Sequence, residues 1–271
     1  MQALDLSELE ERFDIRAEDR NGVIVSIPAE QLLVREHADR LLQAYAPLIR
    51  ARGVEVAATY FSGWYGSICI AMQYMVSHYD HVLDLSLANV TVQLYPNDRY
   101  YHFSFKIGEP RIMRLDGYER EEWRKSVLET LYRDNVRPLI EALSSSASIN
   151  AGQLWGQIVT EMYRQVDSWL IDASDDSLKR RISSDFRFLT HSLDADVFGR
   201  KKNPFDMKLR TVENPFKPGC QTYIKAACCL AYRTDDPEDN GHKYCYTCPR
   251  LSVQEREAYK ALIVDSQEHR A

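Results

Sequence analysis

Val90-Thr91-Val92-Gln93-Leu94-Tyr95-Pro96-Asn97-Asp98-Arg99-Tyr100-Tyr101-His102-Phe103-Ser104-Phe105-Lys106-Ile107 is where the chain changes period. Val90, Val92 and Leu94 alternate with Thr91, Gln93 and Tyr95. Tyr101, Phe103, Phe105 and Ile107 alternate with His102, Ser104 and Lys106. Successive strand side chains point to opposite faces, so each run builds one apolar face. Pro96-Asn97-Asp98 lies between them and supplies turn chemistry, which predicts an antiparallel hairpin. Val23-Ile24-Val25 and the segments 82–87 and 111–115 are candidates for further strands.

Outward from this hairpin the pattern is helical. Ser7-Glu8-Leu9-Glu10 has capping-box spacing and predicts a short helix. Pro28 opens a second, reaching to about residue 52 with Leu32, Leu33, Leu41, Leu42, Tyr45, Leu48 and Ile49 on one face. Pro47 falls in its last turn. Residues 56–79 carry no formal charge over 24 positions. Ser62, Gly63, Gly66, Ser67, Gln73, Ser77 and His78 make that stretch too polar for lipid, so it predicts a buried core helix. Downstream, helices are expected over 119–143, with Pro138 marking a kink or break, and over 153–171 and 174–189. Residues 200–219 read as irregular. Ser252-Val253-Gln254-Glu255 opens the last helix with another capping box. Helices, a small antiparallel sheet, helices again and a cysteine-bearing tail give an α+β protein that is mostly helical. The expected division is an α+β scaffold or substrate-binding domain over 1–195 and a C-terminal cysteine-rich region over 196–271.

The chain has 271 residues, 45% of them hydrophobic and 27% charged, with a net charge of −6. That length supports a sizeable core. The composition excludes a disordered tail, a collagen and a coiled coil. The acidic balance argues against a nucleic-acid partner. The first six residues lack the basic-then-apolar pattern of a signal peptide, so a cytoplasmic location is expected, where structural disulfides are rare. No Gly-x-Gly-x-x-Gly, Walker loop, His-Glu-x-x-His or Gly-x-Ser-x-Gly occurs. Nicotinamide, flavin and nucleotide fingerprints are therefore missing.

Of six cysteines, four form a pattern: Cys228-Cys229, fifteen residues, then Cys245-Tyr246-Thr247-Cys248. Cys-x2-Cys at a turn serves zinc and iron–sulfur centres alike. Adjacent residues in extended chain point to opposite sides, so the vicinal pair serves one small ion poorly. A binuclear cluster, with several ligand positions, suits it better. Two other readings stay open. His242 could ligate as in a Rieske centre, although that needs a second His, and Cys220 could replace one of the four. Cys69, within the buried stretch, reads as a plain core thiol.

Cys228-Cys229-Leu230, Tyr232-Arg233, Tyr244-Cys245 and Cys248-Pro249 resemble the C-terminal signature of the FhuF-like ferric-siderophore reductases. The spacer here is longer than theirs, and the extra residues fall in the polar stretch 234–241. The resemblance implies a [2Fe–2S] cluster on Cys228, Cys229, Cys245 and Cys248. These would be cofactor ligands, metal ligands and the electron-transfer centre at once. It implies one-electron reduction of a ferric siderophore, hydroxamate or citrate type, with release of Fe²⁺, and an external electron donor. The helix–hairpin–helix order upstream is compatible with that family. A chain of this kind does not span a membrane, and a peripheral position at the inner membrane face is compatible with it.

A cluster on four thiolates is anionic, so neighbouring cations should ease its reduction; Lys225, Arg233, Lys243 and Arg250 are near in sequence. Arg200, Lys201 and Lys202, with Lys208 and Arg210, form a basic patch that could draw in an anionic chelate together with Arg233 and Lys243. The patch also reads as an ordinary solvated loop. The rival function is a zinc-stabilised binding or scaffold protein using the same four cysteines. An iron–sulfur transcriptional sensor would want a helix-turn-helix, and none stands out.

Overall fold

The computed structural model describes residues 6–98, 100–115, 117, 119–235 and 244–268. Along them run α1 (Leu6–Phe13), β1 (Ile15–Arg16), β2 (Val25–Pro28), α2 (Arg35–Leu48), α3 (Val54–His78), β3 (His81–Leu83), β4 (Val90–Asn97), β5 (Tyr100–Ile107) and β6 (Ile112–Arg114). Then follow α4 (Arg120–Thr130), α5 (Arg137–Ser146), α6 (Ala151–Asp172), α7 (Asp176–Arg187), β7 (Thr211–Glu213), β8 (Gln221–Tyr223) and α8 (Val253–Glu268). The fold is α+β and mostly helical, as expected.

The predicted hairpin is the centre of a four-stranded sheet ordered β1-β5-β4-β2. Its register runs from Val90 opposite Ile107 to Asn97 opposite Tyr100. Val92, Leu94, Phe103 and Phe105 are buried. Pro96 and Asn97 still belong to the strand, and the turn starts at Asp98, at φ 48°. β2 pairs antiparallel with β4, while β1 runs parallel to β5, so this sheet is mixed rather than purely antiparallel. The candidates at 82–87 and 111–115 pair with each other as β3 and β6.

The long helix expected from Pro28 divides. Pro28 closes β2, Ala29–Leu33 forms a 3₁₀ turn, and α2 begins only at Arg35. Period 2 over Val25 and Ile27, both buried, extends the strand up to the proline. The break expected at Pro138 falls just ahead of it: α4 ends at Thr130, and α5 opens at Arg137 with Pro138 in its first turn. The preceding turn, Leu131–Val136, widens to π geometry and joins α4 to α5. That widening accommodates the carbonyl with which the proline ring would clash.

The uncharged stretch forms α3, buried along most of its length and packed between the sheet and the other helices. Its closest helical neighbour is α6. Gly66 brings the two backbones together, its Cβ position lying 3.6 Å from Ile158 Cα. Ser62 Oγ donates to the Leu154 carbonyl at 2.9 Å. The helices thus meet along their first halves, and the surface formed there carries the cysteine segment. No helix among the described residues is long and apolar enough to cross a membrane.

The expected boundary at 195/196 falls in a 3₁₀ turn, Ala195–Phe198. Phe198 and Phe205 are buried in the main core against Tyr132 and Trp155. A second, small apolar cluster lies further along, where Val56 of α3 packs with Cys228, Leu230 and Cys248.

Candidate metal centre

Residues 225–230 lie across the first halves of α3 and α6, held by side chains that reach their backbone. Thr160 Oγ1 accepts from Ala226 N–H at 2.9 Å. Gln153 Nε2 donates to the Cys228 carbonyl at 2.9 Å, and Thr59 Oγ1 donates to the Cys229 carbonyl at 2.7 Å. Gln157 Nε2 reaches the Ala227 and Cys228 carbonyls at 3.4 Å each. Gly156 leaves room for Ala227, whose side chain occupies the space a Cβ there would need. Leu230 then turns left-handed at φ 62°. Four backbone groups that the segment would otherwise bury unpaired are thereby satisfied, the Cys228 carbonyl by two donors.

The Cys-x2-Cys half is a turn closed by Cys248 N–H to the Cys245 carbonyl at 2.9 Å. Lys225 N–H donates to the Thr247 carbonyl at 2.9 Å, joining the two halves of the motif. Arg256 of α8 is buried and holds the turn from behind. Its guanidinium donates to the carbonyls of Tyr246, Cys248 and Leu251 at 3.0, 2.8 and 3.2 Å. α8 is itself started by a reciprocal capping box. Ser252 Oγ accepts from Glu255 N–H at 3.2 Å, and the Glu255 carboxylate accepts from Ser252 N–H at 2.8 Å.

This scaffold brings the four cysteines together in two pairs. Cys228 and Cys248, both buried, have their sulfurs 3.6 Å apart. Cys229 and Cys245, half-buried, form the second pair, with the Cys245 thiol donating to Cys229. The two adjacent residues thus take different partners, each from the other half of the motif. Among the described residues no group of three or more His, Cys, Asp or Glu side chains converges as a single-ion site. Two sulfurs on one tetrahedral metal at ~2.3 Å lie roughly 3.8 Å apart. The Cys228–Cys248 spacing is close to that, and four thiols drawn from both halves of the motif are the donor set a binuclear cluster takes. The residues present fit the group.

Charge around the thiols is uneven. Hydrogen bonding from Cys245 and the Lys225 ammonium lower the Cys229 pKa below the ordinary thiol range, against the effect of burial. Donation to Cys229 and burial raise that of Cys245. Burial pushes Cys228 up to about 11. Lys225 Nζ lies 3.2 Å from Cys229 Sγ. Leu230 N–H points at Cys228 Sγ at 3.4 Å.

The other expected residues separate. Arg233 pairs with Glu55 at 2.5 Å and ties the tail to the start of α3. Arg250 stands over the Tyr232 ring and donates to its hydroxyl at 2.9 Å. Lys243 and His242 lie outside the described residues. Lys201 and Lys202 are exposed, with Lys202 paired to Asp206 at 3.3 Å. Two members of this patch come near the site: the Arg210 carbonyl accepts from Ile224 N–H at 2.8 Å, next to Lys225, and Arg200 approaches the start of α6. Arg200 abuts Gly152, which lines a cleft of about 360 Å³ together with Gln153, Cys228 and Arg250. Cys220 is exposed in the hairpin turn ahead of β8. Cys69 is buried beside Tyr132 in the main core, where burial raises its pKa.

Thr59, Gln153, Gln157, Thr160 and Arg256 escaped the sequence reading. A signal exists: Gln153, Gln157 and Thr160 recur at helical spacing on a helix whose other face is apolar, with Gly156 among them.

A family profile described as ferric iron reductase FhuF-like transporter matches residues 59–215, more than half of the chain. The chain belongs to this family. The match ends ahead of Cys228, so it is independent of the cysteine motif. It covers α3 from Thr59 onward and all of α6, the two helices that carry the cysteine segment. No curated protein matches the chain.

Proposed function

We propose that this protein is a ferric-siderophore reductase that transfers one electron at a time through a [2Fe–2S] cluster held by Cys228, Cys229, Cys245 and Cys248. The observation that carries the reading is the pairing of four thiols two by two, in a member of a ferric iron reductase family. When bound, such a cluster would supply one electron at a time from an external one-electron donor, enough to turn chelated Fe³⁺ into Fe²⁺. Hard oxygen donors hold Fe²⁺ far less tightly than Fe³⁺, so the metal is released.

The chain's own residues set the conditions. Four thiolates around the cluster make an anionic site that gains a further negative charge on reduction. The Lys225 ammonium beside Cys229 and the Leu230 N–H on Cys228 offset part of that charge, which favours the reduced state. Thr59, Gln153, Gln157 and Thr160 fix the vicinal pair, and Arg256 fixes the Cys-x2-Cys turn, so little reorganisation accompanies the change of charge.

Anaerobically purified protein should be red-brown, with about two irons and two acid-labile sulfides per chain. Serine at any of the four cysteines should bleach it or alter its EPR spectrum, while Cys69→Ala and Cys220→Ser should leave the spectrum intact. The reduced protein should be reoxidised by a ferric hydroxamate or citrate-type chelate as Fe²⁺ appears in a ferrous trap. Stoichiometric zinc without labile sulfide would replace this reading with a zinc-stabilised scaffold.

A further inference from the structure

A cleft of about 440 Å³ opens between α1, α3 and α6, and Lys225 forms part of its wall. Its size is that of a small-molecule site. Arg12 and Arg164 join Lys225 around it, against the single carboxylate of Glu161, in a chain whose net charge is −6. Tyr60 and Trp64 supply flat apolar surface at its floor. None of the cations singled out for the substrate from the sequence, Arg200, Lys201, Lys202, Arg233 and Lys243, lines this cleft.

Arg164 is the loosely committed cation of this cleft: it meets Glu161 at 3.5 Å, with both side chains more than a third exposed. An exposed pair of this kind is worth little and can turn to an incoming carboxylate at small cost. Arg12 is held more firmly, over the Tyr74 ring and 3.0 Å from a Glu8 carboxylate that Tyr74 and Tyr79 also bind, and contributes its charge from the rim. Lys225 is different. Its ammonium is 3.2 Å from Cys229 Sγ, so one side chain faces both the cleft and the cysteine centre. A ligand seated there is separated from a cluster ligand by the thickness of that side chain.

We infer that this cleft is the ferric-chelate site and that it selects anionic, carboxylate-bearing chelates of the citrate class over neutral tris-hydroxamates. A neutral hydroxamate complex has no net charge for Arg12, Arg164 and Lys225 to meet, whereas a citrate-type complex carries uncoordinated carboxylates. Arginine is suited to receive them, because its planar fork matches a carboxylate in two parallel hydrogen bonds. The inference rests on the reductase reading for its purpose, but binding can be measured without any electron transfer.

The test uses full-length protein and redox-inert Ga³⁺ complexes: Ga³⁺–citrate and a neutral Ga³⁺ tris-hydroxamate, followed by calorimetry and tryptophan fluorescence. Ga³⁺–citrate should bind more tightly than the hydroxamate. Arg164→Glu should weaken it about tenfold or more. Lys179→Glu, the same charge change on an exposed position of α7 outside the cleft, should not. Trp64→Phe should remove the fluorescence change while calorimetric binding persists. Melting temperatures of the two charge variants should match the parent. The inference is overturned if Ga³⁺–citrate fails to bind, if Arg164→Glu and Lys179→Glu behave alike, or if the neutral hydroxamate binds more tightly. Failure of binding with ferric reduction intact removes the site and leaves the reductase. Charge-dependent binding without any ferric reduction does the reverse.

Discussion

The main core and the cysteine lobe are held together by different forces. Around α3, stability comes from dense burial: Phe61, Tyr65, Phe103, Phe105, Tyr132, Trp155 and Phe198 are all essentially inaccessible. The cysteine lobe shares only a small apolar cluster with α3, Val56 with Cys228, Leu230 and Cys248, and a fringe of half-buried neighbours. It is held instead by side chains that donate to or accept from its backbone: Thr59, Gln153, Gln157, Thr160 and Arg256. Burial of apolar area stabilises whether or not a ligand is present. A lobe of hydrogen bonds around four thiols gains most of its stability from whatever the thiols bind, because metal binding and folding are coupled. If the thiols hold the proposed cluster, the core should therefore stand without it, and the lobe should not.

The largest expected effect lies in the core. Asp185 is fully buried and accepts from Arg120 at 2.7 and 2.8 Å and from Arg124 at 2.8 Å, with Arg124 stacked on Phe188. Removing one partner of a buried ion group leaves charge unpaired at a cost of about 3–5 kcal/mol. Asp185→Ala should lower the global unfolding midpoint accordingly, measured by circular dichroism in urea. The folded fraction should still carry the parental absorption spectrum. Next comes Arg256→Ala. It leaves the carbonyls of Tyr246, Cys248 and Leu251 without their donor, worth about 3 kcal/mol in total. That loss should appear locally, as faster hydrogen exchange over residues 245–251 and faster metal loss to a chelator, with α3 protected as before. A global midpoint lowered as far as in Asp185→Ala would erase the distinction between the two regions.

The same contrast explains what was legible in the sequence. Periodicity reports burial, so the hairpin at 90–107 and the uncharged core helix at 56–79 could be read directly, and the motif Cys228-Cys229…Cys245-x2-Cys248 stood out by spacing. The split at Pro28 was harder. Leu32, Leu33, Leu41 and Leu42 keep helical spacing across a 3₁₀ turn, and only the alternation of Val25 and Ile27 shows the strand. The cradle of the lobe was not legible, because a glutamine or threonine on a helix surface looks the same whether it faces water or another segment's carbonyl. Arg256 resembled any exposed helical arginine, and its burial follows from the turn folding over it. Lys225 was noted for its charge, but its place between the cysteines and the cleft depends on how α3 and α6 meet. The basic run 200–202 drew attention because charge clusters are conspicuous, yet Lys201 and Lys202 lie in solvent.

Gly156 gives the smallest net change and the sharpest separation of the two regions. It sits inside α6, where alanine is preferred to glycine by about 1 kcal/mol. On helix propensity alone, Gly156→Ala should stabilise the core. The new Cβ would fall well inside the contact distance of the Ala227 side chain and 3.1 Å from its backbone nitrogen. Neither can retreat easily, since Ala226 N–H is bound to Thr160 and the Cys228 carbonyl to Gln153. Crowding a packed contact costs about 1–3 kcal/mol, and here that cost falls on the docking of residues 225–230. The apo protein should melt at or slightly above the parental temperature. The cluster should be lost sooner on exposure to a chelator, with an altered visible spectrum while it lasts. Ala227→Gly, added to Gly156→Ala, removes the opposing methyl and should restore much of the retention, although the contact with the nitrogen remains. A single variant that lowers the apo melting temperature and keeps the parental spectrum would place the strain in the core, and would show that the cysteine segment does not lean on α6.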